Sequence, residues 1–240
     1  MFSEAPELYD AIYGTFKDYD AEAEQVARVL QEVAPGARRL LDVGCGTGEH
    51  AVRLRSRYGY DVGGLDIEPG FVELARAKLP SADFWLGDMA AFDLGVRFDA
   101  IVCLFSSIGY LADLSAVERA AGCFLQHLSP GGVALVEPWF SPEAWTAGRI
   151  YVHTGETATG HIVRMSHSRV EGRVSKLEFH YLIGTGEGIE HRIEHHELGL
   201  FTTAELVQAF ENAGFASVRH DPEGLTGRGL LIAKKPAGAA

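Results

Sequence analysis

Leu41-Asp42-Val43-Gly44-Cys45-Gly46-Thr47-Gly48 is the stretch that decides how this chain is read. Arg39 to Val43 is a short apolar run of strand type. It breaks at closely spaced glycines, and Thr47 to Tyr58 continues with helical spacing. Glycines between a strand and a helix let the backbone pass close to a ligand without a Cβ in the way. The spacing Gly-x-Gly-x-Gly departs from the Gly-x-Gly-x-x-Gly of dinucleotide folds, which speaks against a pyrophosphate there. A merely tight strand-to-helix turn is the bland reading of the same residues.

Working outward, strands and helices alternate. Tyr60 to Leu65 reads as strand, Pro69 to Leu79 as helix with proline in its first turn, and Ala82 to Leu86 as strand. Phe98 to Phe105 is a buried strand, Leu114 to Leu128 a helix, and Val133 to Glu137 a strand after Pro130-Gly131-Gly132. This rhythm predicts a Rossmann-like α/β fold, a parallel sheet with helices on both faces. Two helices precede it, Pro6 to Tyr13 and one capped by Asp18 that carries Ala23, Val26, Ala27, Leu30 and Val33.

After Ile150 the pattern changes to His161–Val170, Arg173–Gly184 and Ile189–Phe201, three strands joined by glycine turns. A small antiparallel β meander is therefore expected before the last helix, Thr202 to Asn212. Strands Ala216–His220 and Gly229–Ala233 follow, and Pro236 to Ala240 is read as a disordered tail. The expected domains are a helical cap over 1–35, a core of 36–148 with 202–235, and the insertion 149–201 as a substrate or dimer face.

The chain has 240 residues and a formal net charge of −12. That charge repels a phosphate backbone, so no nucleic acid partner is expected. No apolar run is long enough to span a membrane, and the first seven residues lack the basic and apolar regions of a signal peptide. Three unpaired cysteines, Cys45, Cys103 and Cys123, fit a reducing, cytoplasmic setting. His191-x-x-x-His195-His196 could suggest a metal, but no further ligand cluster lies near it in sequence. No metal is expected, and those histidines are assigned to an exposed or intersubunit face, which leaves a homodimer possible.

Two more features sit at strand ends beside the glycine turn. Asp66 closes the second strand, where a carboxylate accepts both hydroxyls of a ribose; capping the helix at Pro69 is its other reading. Asp88 follows the third strand, placed to accept from an adenine amino group while Met89 packs on the ring. With Phe98-Asp99-Ala100-Ile101-Val102 and Leu128-Ser129-Pro130-Gly131-Gly132, residues 38 to 140 resemble the class I S-adenosylmethionine (SAM)-dependent methyltransferases. A narrower resemblance rests on Tyr9-Asp10-Ala11-Ile12-Tyr13, Lys17-Asp18-Tyr19, Phe105-Ser106-Ser107-Ile108-Gly109-Tyr110-Leu111, Val136-Glu137-Pro138-Trp139 and Gly227-Arg228-Gly229-Leu230. These segments are similar to the nucleotide-linked aminosugar N,N-dimethyltransferases that finish the dimethylamino sugars of macrolide antibiotics.

The resemblance implies SAM as cofactor, held by Tyr19, Gly44, Cys45, Gly46, Gly48, Asp66, Ile67, Asp88, Met89 and Phe105. It implies Tyr13 and Tyr110 at the reactive centre, each of which reads equally well as a half-buried core tyrosine. Glu137 is a candidate to accept a proton or bind a sugar hydroxyl, or, on its other reading, a ligand of local backbone groups. Arg228 is expected on a diphosphate and Trp139 in the substrate wall, against readings as a surface ion pair and a packing tryptophan. A free-base amine needs positioning more than a strong base. An O-methyltransferase would want a base beside its acceptor, and residues 104 to 140 offer only His127, at the far end of its helix. A SAM-binding regulator would lack the acceptor pocket, and glycine spacing and Asp88 oppose an NAD-dependent oxidoreductase.

Overall fold

The computed structural model describes residues 6–238. Residues 1–5, within the segment read as lacking signal character, and Ala239 and Ala240 of the expected tail lie outside the described residues. The helices are α1 (Pro6–Tyr13), α2 (Tyr19–Val33), α3 (Glu49–Tyr58), α4 (Pro69–Lys78), α5 (Leu114–His127) and α6 (Thr203–Asn212). The strands are β1 (Arg39–Val43), β2 (Asp61–Asp66), β3 (Phe84–Leu86), β4 (Phe98–Cys103), β5 (Leu128–Val136), β6 (Tyr151–Thr157), β7 (Gly160–Glu171), β8 (Val174–Thr185), β9 (Gly188–Gly199), β10 (Ser217–Asp221) and β11 (Leu230–Lys234).

Seven strands form the main sheet in the order β3-β2-β1-β4-β5-β11-β10, and β11 runs antiparallel to both of its neighbours. The order reverses between β1 and β4, so the loops leaving their carboxyl ends diverge and open a crevice. Central strands buried on both faces need unbroken apolar runs, and β4 and β5 supply them in Ala100-Ile101-Val102-Cys103 and Val133-Ala134-Leu135-Val136. On one face α2 buries Ala23, Val26, Ala27 and Leu30 against Leu40, Val62, Val133 and Ile232. On the other, α5 and α6 bring Phe124 and Phe210 together, centroids 6.3 Å apart. Helix starts are set locally: Asp18 and Asp113 cap α2 and α5, and Thr202 with Glu205 forms a capping box on α6.

The insertion is a separate antiparallel sheet of four strands, β6-β7-β8-β9, where three were expected. The missed strand is β6. It lies at the sheet edge with Tyr151 and Val152 exposed, and Gly155 in its middle reads in sequence as a break. That glycine has a packing reason, since a Cβ there would stand 2.5 Å from the Ala11 carbonyl oxygen of α1. The two leading helices therefore have different seats. Whereas α2 belongs to the main core, α1 packs Leu8 and Ile12 against Ile162, Phe179, Tyr181 and Ile183 of the second sheet. Asp10 ties α1 back to the main core through Thr47 Oγ1 of the glycine turn and through Lys78 Nζ of α4 at 2.6 Å.

Candidate active site

The crevice at the carboxyl ends of β1 and β4 continues under α1 onto the inner face of the second sheet, making one cavity of about 530 Å³. Its glycine end is built by backbone. Gly44 and Gly46 both have positive φ (71° and 54°), and a Cβ on Gly44 would lie 2.6 Å from Cβ of Ser107. Asp66 anchors the turn, Oδ2 accepting from Gly46 N–H (2.8 Å) and Oδ1 from Glu68 N–H (3.0 Å). Burial pushes its carboxyl pKa upward, and the backbone N–H groups oppose that. The capping reading of Asp66 is not what is observed, because Glu68 holds the N-cap position of α4 and makes no side-chain cap. Behind this turn Asp42 is buried, one carboxylate oxygen lacks a hydrogen-bond partner, and its pKa is raised to about 6 by burial.

Asp88, Met89 and Ile67 line the next stretch of wall, with Asp88 accepting from Ala90 N–H at 2.8 Å. Across from them the β4 loop is strained: Phe105 and Ser106 both occupy positive φ (50° and 62°) without being glycine. Three contacts hold them there. Phe105 N–H donates to Glu137 Oε2 at 2.6 Å, Ser106 Oγ donates to the Pro138 carbonyl at 2.7 Å, and Arg228 Nη1 donates to Ser106 Oγ at 3.2 Å. Glu137 also accepts from the Thr226 hydroxyl and is fully buried. It does not line the cavity, so of the two expectations for Glu137 its contacts support the local backbone one.

Of the remaining expected residues, Tyr13, Tyr110, Phe105, Trp139 and Arg228 line the cavity, and Tyr19, Cys45 and Gly48 do not. Tyr19 packs edge-on against His50 at 5.1 Å, behind Lys17. Cys45 Sγ faces Gly64, where a Cβ would stand 2.8 Å away. Gly48 provides the left-handed residue at the start of α3 and packs on Ala75. Arg228 lies over Phe105, Trp139 and Phe140 at 5.3–5.8 Å, so it faces the aromatic wall as well as Ser106. Trp139 donates from Nε1 to Ser175 Oγ at 2.9 Å, which fixes the wall to β8.

Sequence reading missed the floor. Period-two alternation turns Arg164, Ser166 and Ser168 of β7, Leu177 and Phe179 of β8, and His196 and Leu198 of β9 to the cavity. Arg164 is buried with Nε and Nη1 lacking hydrogen-bond partners, its guanidinium 4.8 Å from the Tyr13 ring and 4.6 Å from Phe179. The signal available was parity, since Arg164 shares a strand face with Ile162. The histidines are corrected by the same parity. His191 and His195 are exposed as expected, but His196 faces inward, its Nδ1 3.1 Å from the Tyr110 hydroxyl. The search for a base covered residues 104 to 140 and therefore passed over His196, which the fold brings to Tyr110. His127 is spent elsewhere, accepting from Leu94 N–H.

A methyltransferase domain model matches residues 40–132. The dTDP-3-amino-3,6-dideoxy-alpha-D-glucopyranose N,N-dimethyltransferase of Streptomyces fradiae is 42% identical over 230 residues, 95% of this chain and 89% of that protein. The chain belongs to the aminosugar N,N-dimethyltransferase family. A second member, the dTDP-3-amino-3,4,6-trideoxy-alpha-D-glucopyranose N,N-dimethyltransferase of Streptomyces venezuelae, is 38% identical over 94% of this chain and 95% of its own length. The crystal structure of DesVI from S. venezuelae superposes with a TM-score of 0.90 at 37% identity, covering 99% of this chain and 100% of that one. SAM-bound CalS10, an amino pentose methyltransferase from Micromonospora echinaspora, superposes at 0.85 with 37% identity, covering 95% and 96%.

This methyltransferase uses SAM, and its own residues suit that molecule. The left-handed glycine turn leaves room for close approach, and a buried carboxylate stands at a strand end where ribose hydroxyls can donate to it. Among the described residues, no group of three or more His, Cys, Asp or Glu is placed to hold a metal. No described helix is long and apolar enough to cross a membrane, which says nothing of β-barrels.

Proposed function

We propose that this methyltransferase places two methyl groups in turn on the amine of a nucleotide-linked aminosugar. The observation that carries the reading is the continuity of one cavity from the Gly44–Asp66 end to the floor of the second sheet. Bound SAM supplies a methyl group already activated by its sulfonium. In our reading Gly44, Gly46, Asp66, Ile67, Asp88, Met89 and Phe105 hold the cofactor, and Cys45, Gly48 and Tyr19 shape that pocket from behind. Residues 36–148 with 202–235 serve as the cofactor core, residues 1–35 contribute the α1 lid, and 149–201 carry the acceptor. Tyr13 and Tyr110 orient the amine, Trp139 walls the sugar, and Arg228 with Arg164 supplies fixed positive charge for a diphosphate.

The deciding experiment incubates the protein with SAM and dTDP-3-amino-3,6-dideoxyglucose and follows product mass. Gains of one and then two methyl groups are expected. Turnover confined to hydroxyl compounds would defeat the amine reading. Arg228→Ala should raise the acceptor KM by about tenfold or more, the scale of one charge-assisted hydrogen bond, with SAM affinity near normal. An unchanged acceptor KM would remove Arg228 from the phosphate site.

We further propose a homodimer through the outer face of the second sheet. Val152, Met165 and Ile193 fall in one cross-strand row and Leu182 in the next, each about half exposed. His180 stands between Met165 and Ile193 in that row and His191 beside Leu182, and exposed apolar side chains grouped this closely mark an association surface. Light scattering should give a dimer mass that Leu182→Asp with Met165→Asp reduces to the monomer; a monomeric native protein would rule the interface out.

A further inference from the structure

Three polar side chains from two separate parts of the chain meet at the acceptor end of the cavity. Tyr110 ends the 3₁₀ turn Ser107–Tyr110 that follows β4, whereas Glu194 and His196 lie two apart on the inner face of β9. The Tyr110 hydroxyl stands 3.1 Å from His196 Nδ1, and His196 Nε2 stands 3.4 Å from Glu194 Oε2. Both Tyr110 and His196 line the cavity, and the His196 side chain is 1% exposed. We propose that Tyr110, His196 and Glu194 form a relay that takes a proton from the acceptor nitrogen. The inference deepens the reading above and rests on the acceptor being an amine.

The reaction has to shed a proton at each round. An amine held as ammonium has no lone pair, and each methylation leaves the nitrogen one proton richer than its neutral form. In the relay an N–H bond breaks toward the Tyr110 oxygen while the phenol's own proton passes to His196 Nδ1. The tyrosine ends neutral, the nitrogen keeps its electron pair, and nothing is oxidised or reduced. The resulting imidazolium lies beside the Glu194 carboxylate. Glu194 acts as a positioning residue, favouring the Nε2–H tautomer that leaves Nδ1 as acceptor.

The surroundings of His196 suit this task. Burial pushes its pKa below the ordinary value, the positive charge of Arg164 on β7 adds to that, and Glu194 opposes it. The Phe179 ring on β8 packs 4.7 Å from the imidazole and keeps water off. His196 is therefore neutral and able to accept near pH 7, and it loses that ability as the pH falls through its pKa. Burial raises the Tyr110 phenol well above its ordinary range, so it passes a proton on without ionising.

The test uses the full chain, saturating SAM and dTDP-3-amino-3,6-dideoxyglucose. With His196→Gln, kcat at pH 7 should fall by about 10²-fold, a low value for loss of a general base. It should climb back toward wild type above about pH 9, where an amine titrating near the α-amino value of about 8 is largely free base. Glu194→Gln should show a smaller loss in the same direction. SAM affinity by calorimetry should match wild type in both, which shows that they fold. In the substrate-free protein, ¹⁵N NMR of the imidazoles should find His196 neutral with its proton on Nε2. A His196→Gln loss of the same factor at every pH, or no loss, overturns the relay while leaving the amine reading intact. A wild type inert toward the amine yet active on a hydroxyl compound overturns both.

Discussion

Asp66→Ala lowers SAM affinity by two to three orders of magnitude, read as Kd by calorimetry on ligand-free protein. The carboxylate has two jobs, and both are lost. It fixes the glycine turn through Gly46 N–H and the start of α4 through Glu68 N–H, and it presents its remaining acceptor capacity to the cavity. Hydrogen bonds to a charged acceptor contribute about 1.5–3 kcal/mol each, so losing two toward a ribose is worth roughly 3–6 kcal/mol, and the lower part of that range is the loss expected. Asp66→Asn keeps the size and one acceptor oxygen and should fall between the two. Acid acts in the same direction as the mutation. Burial raises the Asp66 pKa, so affinity should weaken at a higher pH than for an exposed aspartate. An alanine variant within a factor of three of wild type would place the ribose elsewhere.

The second large effect is at Glu137, which touches no part of the cavity. Glu137→Ala removes the acceptor for Phe105 N–H and for the Thr226 hydroxyl, and a charge 4.0 Å from Arg228. Holding Phe105 and Ser106 at positive φ costs about 1–2 kcal/mol per residue, and this loop tolerates it only while its partners are in place. Breaking a buried charge arrangement costs about 3–5 kcal/mol, or on the order of 10 °C in Tm for a chain this size. Because Ser107 and Tyr110 follow directly on the strained pair, kcat/KM should fall about 100-fold as well. Glu137→Gln keeps an acceptor for Phe105 N–H and should recover much of both losses, which a proton-transfer role would not allow. An alanine variant that melts with the wild type would show that the loop holds itself.

How far the sequence could be read depended on how local each signal was. The glycine turn, the proline at the start of α4, the Asp18 cap and the unbroken apolar runs of β4 and β5 are written within a few residues of each other. Strand ends in an open sheet share one edge, so Gly44, Gly46, Asp66, Asp88 and Met89 could be brought together from spacing alone, and they line one cavity. Strand β6 escaped because Gly155, needed for the approach of α1, imitates a break. Glu137 showed its place at a strand end but not its direction. Its bond to Phe105 spans 32 residues and its partner Thr226 is 89 away.

From sequence alone came the Rossmann-like core, the order of its elements, the glycine-turn end of the cavity and the resemblance that names the reaction. Each rests on periodicity or on a motif confined to one strand and the turn after it. Only the folded chain decided which residues of the second sheet face inward and which segment they meet. Arg164 joins the site from beyond the fifth strand, and His196 reaches Tyr110 across 86 residues. A one-residue change in strand register reverses inside and outside, and no local pattern around two histidines in succession says which of them is buried.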